Sequence, residues 1–317
     1  MSTQTEQRLD IELSSRKESM LCNQLSRAID ASEINQIGAS RYEGKQAAIA
    51  DGAHGSHEIN QRIGITSYAS MTKFQTNAHK FAGFCFERYG LNDIRSIKPE
   101  HIKEFLIELC DRDYARQSVQ GYASTIEKLA VVMDAYSPAA QPRTETWHAA
   151  VVSCRSEIND CVQKDTGSRA YTDPQAMIDN LSEPRLQLVA EMQLNYGLRI
   201  SDATKIDANN LSGNSLLVPN SKNGQDLRIE LSADYAQRVR DMCTDGGVKN
   251  GVYREALKQA CAESGQEWTG THGLRHNYAQ NRVAELVDGG TSYNRAVWIV
   301  SEEMGHHRPE VTAAYLR

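Results

Sequence analysis

Apolar residues recur every three to four positions along most of this chain, and one segment breaks that rhythm. It is Asn214–Leu231, where two β-prone runs, SLLVP and LRIEL, flank a turn carrying Asn223-Gly224. Asn-Gly accepts the positive φ values that a tight hairpin requires. A lone hairpin is marginal in water, so this one is expected to lie against helices and to pair with another short strand. The pattern therefore predicts a mainly α protein with a small antiparallel β element.

The helical pattern divides into segments. Residues 1–64 are polar, with helical periodicity from Ile11 to about Ala31 (Leu13, Met20, Leu21, Leu25, Ile29), and their function is not legible. Residues 65–162 read as a compact helical domain. One helix should start near Thr66 or Ser67, both hydroxyl caps, and bury Tyr68, Met71, Phe74, Ala78, Phe81 and Phe84. A second should start at Pro99, which suits a first helical position, and bury Ile102, Phe105, Leu106 and Leu109. A third runs from about Ser118 with Val119, Tyr122, Ile126, Leu129, Val132 and Met133 on one face, and ends before Pro138. Residues 163–170, polar with a glycine and no periodicity, mark a linker. Residues 171–317 form the second domain, mixed α/β because it contains the hairpin.

Composition does not point to nucleic acid. The 317 residues carry 35 Lys+Arg against 41 Asp+Glu, a net charge of −6, and no third of the chain is basic. A nucleic-acid binder usually shows a basic footprint, so any positive surface must be local. The seven cysteines are scattered without a Cys-x-x-Cys pair, which predicts reduced thiols rather than a disulfide framework or zinc knuckle. No apolar run reaches the roughly 20 residues that span a bilayer, and the N-terminus lacks an apolar signal core. We expect a cytoplasmic protein with no membrane partner.

Four short patches in the last 120 or so residues carry the chemistry. They are Tyr196-Gly-Leu-Arg199-Ile-Ser-Asp202, the hairpin turn with Lys222, Thr271-His272-Gly-Leu-Arg275-His276, and Met304-Gly-His306-His307 followed by Tyr315. Each alone is weak: a single arginine, lysine or histidine of this kind is more often a cap, a solvated side chain or packing. In this order they resemble the signature of the tyrosine recombinase (phage integrase) family, namely Arg, Lys, His-x-x-Arg, Gly-His and Tyr, with the same nine-residue step from the Gly-His histidine. The match covers about 171–317, and 65–162 resembles the family's helical, SAM-like core-binding domain. The resemblance implies a catalytic domain of the DNA breaking-rejoining type.

The chemistry accounts for these residue types. A phosphodiester under attack gains negative charge on oxygen, and two guanidiniums, Arg199 and Arg275, can hold the non-bridging oxygens in planar, charge-assisted contacts. A phenol, with a pKa of about 10, needs a base and an electropositive pocket to become a nucleophile. His272 has the pKa range for that base. Lys222 can protonate the leaving sugar oxygen, and His306 can hydrogen-bond a non-bridging oxygen. Asp202 is expected to orient His272 or Arg199, with His276 and His307 in support.

The resemblance makes Tyr315 the nucleophile and implies a 3′-phosphotyrosyl intermediate that conserves bond energy, so neither cofactor nor metal is expected. Its implied partners are double-stranded DNA with inverted-repeat core sites and further copies of the chain, as a dimer on a site and a tetramer in synapsis. Accessory directionality or DNA-bending proteins and a nucleoid location are implied too. Lys73, Lys80, Arg116, Gln117, Gln120 and Lys128 are the candidates for DNA contact in the helical domain; ordinary solvated surface is the competing reading of each.

Two departures stand out. The stretch from Arg275 to Gly305 is longer than the family usually has, and Asp288-Gly-Gly-Thr reads as an inserted turn. The sequence also stops two residues after Tyr315, where many relatives continue into a segment that docks on a neighbouring subunit. A shortened chain or a different subunit contact is therefore expected, with a mobile Tyr315. A mobile-element integrase is the preferred reading. A chromosome-dimer-resolving recombinase, a type IB topoisomerase-like enzyme and a non-catalytic DNA-binding accessory protein are the alternatives.

Overall fold

The computed structural model describes residues 20–163, 167–221, 226–244, 246–306 and 308–316. The chain divides into two compact units, Met1–Asp165 and Thr166–Arg317.

The first unit is helical. Its described elements are α1 (20–31), α2 (Arg41–Ala50), α3 (Gly55–Arg62), α4 (Tyr68–Tyr89), α5 (Pro99–Asp111), α6 (Arg116–Tyr136), α7 (Arg143–Ser153) and α8 (Arg155–Asp160). Local signals set the ends. The Ser67 hydroxyl accepts from the amide of Ser70 to open α4, and Gly90, at φ +66°, closes it. Pro99 opens α5, and the Asp134 carboxylate accepts from the amides of Arg143 and Thr144, at 2.8 and 2.9 Å, to cap α7.

One core unites α1 and α4 to α8, while Ala48, Ala53 and Ile63 form a small separate cluster at α2 and α3. Leu21, Leu25 and Ile29 of α1 join Met71, Phe74 and Phe81 of α4, Ile102 and Leu106 of α5, Ile126 and Leu129 of α6, and Trp147 of α7. The polar first 64 residues thus contribute apolar side chains to the same core as the helical domain. Tyr68 departs from expectation: it is 77% exposed, and the buried stripe of α4 begins at Met71. Residues 67–70 are all exposed, so the first turn of α4 has the right phase with nothing packed over it.

The second unit contains α9 (Pro174–Asp179), α10 (Pro184–Tyr196), α11 (Ile200–Ala203), β1 (Leu211–Ser212), β2 (Ser215–Val218), β3 (Leu227–Glu230), α12 (Ala233–Met242), α13 (Asn250–Glu263), α14 (His272–Asp288), α15 (Tyr293–Glu303) and α16 (Pro309–Ala313). The strands form one antiparallel sheet in the order β1-β2-β3. Leu216 pairs with Ile229 and Val218 with Leu227, so the expected hairpin is present with a short third strand beside it. Residues 222–225 of its connection lie outside the described residues. Leu216 and Val218 turn into a core shared with α10, α12 and α13.

The Asp288-Gly-Gly-Thr turn joins α14 to α15, with Gly290 at φ +90°. Tyr278, Ala279 and Val283 of α14 then meet Ala296, Val297 and Val300 of α15, with Met304 just beyond it, in a separate cluster that Tyr315 and Leu316 pack against. No helix among the described residues is long and apolar enough to cross a membrane.

Candidate active site

The site begins at a glycine. Gly197 ends α10 at φ +63°, and a Cβ there would stand 2.4 Å from the Tyr278 ring. Only a residue without a side chain fits both conditions. The turn brings Arg199 to the N-cap of α11. The Arg199 guanidinium donates to the carbonyls of Met304 at 3.1 Å and Gly305 at 3.4 Å, and stands 3.6 Å from Asp202. Asp202 is buried and accepts from the Ser221 hydroxyl at 2.9 Å. Asp202 therefore faces Arg199, one of its two expected partners, and Ser221 joins them.

Arg275 lies in the first turn of α14 and is 1% exposed. A guanidinium this deep requires acceptors to offset its desolvation. It donates to the carbonyl of Gly197, and at 2.6 Å to that of Met304. The Tyr315 ring packs beside it, with its centroid 5.9 Å from the guanidinium carbon. Burial, and then the neighbouring Arg199, push it down to about 10, so it stays charged at neutral pH.

His306 is buried at the end of the turn after α15. Its Nε2 lies 3.0 Å from Nη2 of Arg275, and its Nδ1 lies 2.9 Å from the Thr312 hydroxyl. Arginine carries donors only, so this bonding assigns the proton to Nδ1, which donates to Thr312. Thr312 is fully buried on α16.

Tyr315 is half-buried among these groups. Its ring centroid lies 4.4 Å from that of His276, 5.2 Å from that of His306 and 5.9 Å from the Arg275 guanidinium carbon. Its carbonyl accepts from the Gln280 amide at 3.1 Å. One side chain of α14, Gln280, thus holds the peptide of Tyr315, and a second, His276, packs on its ring. Burial, followed by Arg169 and His272, pushes His276 down to about 4, so this ring is neutral at pH 7. His272 opens α14, half-buried and close enough to His276 to lower its basicity.

The fold therefore gathers Arg199, Asp202, His272, Arg275, His276, His306 and Tyr315. Lys222 and His307 lie outside the described residues. Ser221, Thr312 and Gln280 belong to the site without any motif to announce them.

The candidates for DNA contact lie in the first unit and differ among themselves. Lys73, Gln117 and Gln120 are exposed. The Lys80 ammonium donates to the Tyr114 hydroxyl at 2.5 Å and sits over the Tyr114 and Tyr122 rings. Arg116 donates to the Asn159 carbonyl. Lys128 is held by the carbonyls of Asn60 and, at 2.7 Å, Ile63, and burial lowers it to about 8. These three already have partners within the chain.

No family model and no curated protein matches this sequence. Solved structures do. A lambda integrase dimer bound to a COC′ core site superposes with a TM-score of 0.55 at 17% identity, over 88% of this chain and 76% of that one. XerH site-specific recombinase bound to a palindromic difH substrate gives 0.57 at 12% identity, over 95% and 92%. A lambda integrase tetramer bound to a Holliday junction gives 0.53 at 17% identity, over 92% and 80%. Likeness across most of each chain, with so little identity, is likeness of fold: this protein has the fold of the tyrosine recombinases.

Proposed function

We propose that this protein is a site-specific DNA recombinase that cleaves and rejoins strands through a 3′-phosphotyrosyl bond at Tyr315, as a mobile-element integrase does. The observation that carries this reading is the buried guanidinium of Arg275 packed against the ring of Tyr315, with Arg199 on the same Met304 carbonyl and His306 beside both. Packing alone does not require a phenol against a pair of arginines.

In the proposed step the Tyr315 oxygen attacks phosphorus, and His272 accepts the phenol proton. The bond to the leaving 5′ oxygen breaks, and Lys222 protonates that oxygen. Arg199 and Arg275 hold the non-bridging oxygens as their charge grows; fixed donors aimed at developing charge are typically the largest catalytic contribution. His306 presents an unprotonated Nε2 to Arg275 in the free protein, so donating to a phosphate oxygen requires the N–H to stand on Nε2 instead. The 5′-hydroxyl of a partner strand then attacks the phosphotyrosine, returns the phenol and restores the backbone. Neither ATP nor a metal enters these steps.

The solved relatives include a dimer on a core site and a tetramer on a Holliday junction. By that analogy this chain acts as a dimer on an inverted-repeat site and a tetramer in synapsis, with accessory bending or directionality proteins. Lys73, Gln117 and Gln120 are the DNA contacts we favour in the first unit.

Covalent trapping tests the reading. Wild type and Tyr315→Phe are mixed with nicked DNA from the source genome, denatured, and the protein-bound DNA is sequenced. Adducts at one short inverted repeat, absent from the variant, are the expected result. Scattered adducts would mean a topoisomerase-like enzyme. DNA binding without any adduct would mean an accessory protein.

A further inference from the structure

Away from the candidate active site, three helices of the first unit bring ligand-type side chains to one point. Nδ1 of His57, on α3, lies 3.4 Å from Oε1 of Glu127, on α6, and Nδ1 of His148, on α7, lies 2.6 Å from the same oxygen. The three ligand atoms lie within 4.8 Å of one another, and the side chains are 31%, 22% and 30% exposed. We propose that His57, Glu127 and His148 bind one first-row divalent cation of the zinc class, which clamps α3 to α6 and α7.

The donor set fits that ion. Two imidazoles and a carboxylate suit zinc and its neighbours, whereas magnesium and calcium prefer oxygen alone. Ligands at about 2.0–2.1 Å from a tetrahedral ion stand roughly 3.3 Å from each other. The His57–Glu127 separation already has that value. The two imidazole rings are stacked, with centroids 3.7 Å apart and 29° between planes. Seating an ion opens the His148–Glu127 separation by roughly 0.7 Å and turns the two rings so that their nitrogens face one point.

Helix α3 carries the His57 part of that movement, and none of its residues is buried. It is held by Ile59 against the small cluster of Ala48, Ala53 and Ile63 and by polar contacts, including those of His57 and those of the carbonyls of Asn60 and Ile63 with Lys128. Gln61 stands 3.0 Å from Nε2 of His57. Turning its amide over would present the oxygen to the N–H of a metal-bound ring, the outer hydrogen bond that orients such ligands. Arg41, Lys73 and Lys128 line the cavity around this cluster. Their charge opposes ions that bind by attraction alone and leaves the advantage to ions that bond imidazole nitrogen.

The test uses the full chain, stripped with a chelator and titrated with Zn²⁺ by calorimetry and with Co²⁺ by visible absorption. The expected result is one equivalent bound, with the Co²⁺ bands of a tetrahedral site and no thiolate charge-transfer band. His148→Asn and Glu127→Gln should each weaken binding by about tenfold or more. Glu127→Gln keeps the shape and the acceptor oxygen, so an unchanged circular dichroism spectrum separates lost ligation from lost fold. Zinc should also protect α2 and α3 from protease. Failure of the wild type to take up either ion at micromolar concentration would overturn the proposal. Undiminished binding in both variants, or loss of the equivalent through His272→Asn instead, would place the ion elsewhere and overturn it too.

Discussion

The guanidinium of Arg275 lies 3.0 Å from Nε2 of His306, and the ring of Tyr315 packs against both. The two groups come from opposite ends of the α14–α15 pair. The Met304 carbonyl, which accepts from Arg199 and Arg275 alike, ties them together. The site is thus a set of cations fixed by backbone oxygens before any substrate arrives, and each prediction below follows from one of those constraints.

Arg275→Lys keeps the charge and loses the fork. A lysine cannot hold the Gly197 and Met304 carbonyls and a phosphate oxygen together. Cleavage should fall about 10²–10³-fold while DNA affinity changes about threefold or less, because most affinity comes from phosphate contacts spread over the duplex. Single-turnover cleavage beside a filter-binding isotherm measures both. An equal loss in the two would remove the transition-state role.

Thr312→Val conserves volume and removes the acceptor for Nδ1 of His306. The ring can then place its proton on either nitrogen. We expect about a tenfold slower cleavage, near the net worth of one lost hydrogen bond, with unchanged DNA binding. Thr312→Ser, which keeps the hydroxyl, should recover most of the rate. An equally slow serine variant would show that Thr312 acts through packing alone.

Gly197→Ala should destabilise the second unit by about 2–4 kcal/mol, from a strained positive φ and overlap with the Tyr278 ring. Tyr278→Leu in the same chain should return part of that loss, since it relieves the overlap and leaves the φ strain. Chemical denaturation of the four proteins in the cycle gives the coupling. No coupling would mean that the close approach of Tyr278 does not constrain this turn.

His276 makes stability depend on acid. Its folded value of about 4 lies below the ordinary imidazole value of 6.5. The unfolded chain therefore binds the proton more readily, and stability is complete above about pH 6.5. It declines as pH falls from there toward 4, by at most roughly 3 kcal/mol at about 1.4 kcal/mol per pH unit. His276→Gln should flatten that part of the stability curve. The same acid slope in wild type and variant would assign it to other groups.

Local features of the sequence carried the fold a long way. Ser67 and Pro99 open helices because a hydroxyl cap and a fixed φ act within a few residues. The β2–β3 pair forms where the two β-prone runs predicted it. Both signals depend on neighbours along the chain. Tyr68 shows the limit, since its phase on α4 is right and yet nothing covers it. The same holds for Lys80 and Lys128, whose charges suggested free surface and whose partners, Tyr114, Asn60 and Ile63, lie tens of residues away.

The order of Arg199, His272, Arg275, His306 and Tyr315 was legible because that chemistry needs those side chains. The carbonyls of Gly197 and Met304, the hydroxyls of Ser221 and Thr312 and the amide of Gln280 were not. Every residue has a backbone carbonyl, and hydroxyls and amides are common on any surface. Residue order dictates which groups are available to act and which segments become helix or strand. The tertiary structure alone decided which of them are desolvated together, because burial and hydrogen-bond partnership are set by elements that meet in space from far apart in the chain.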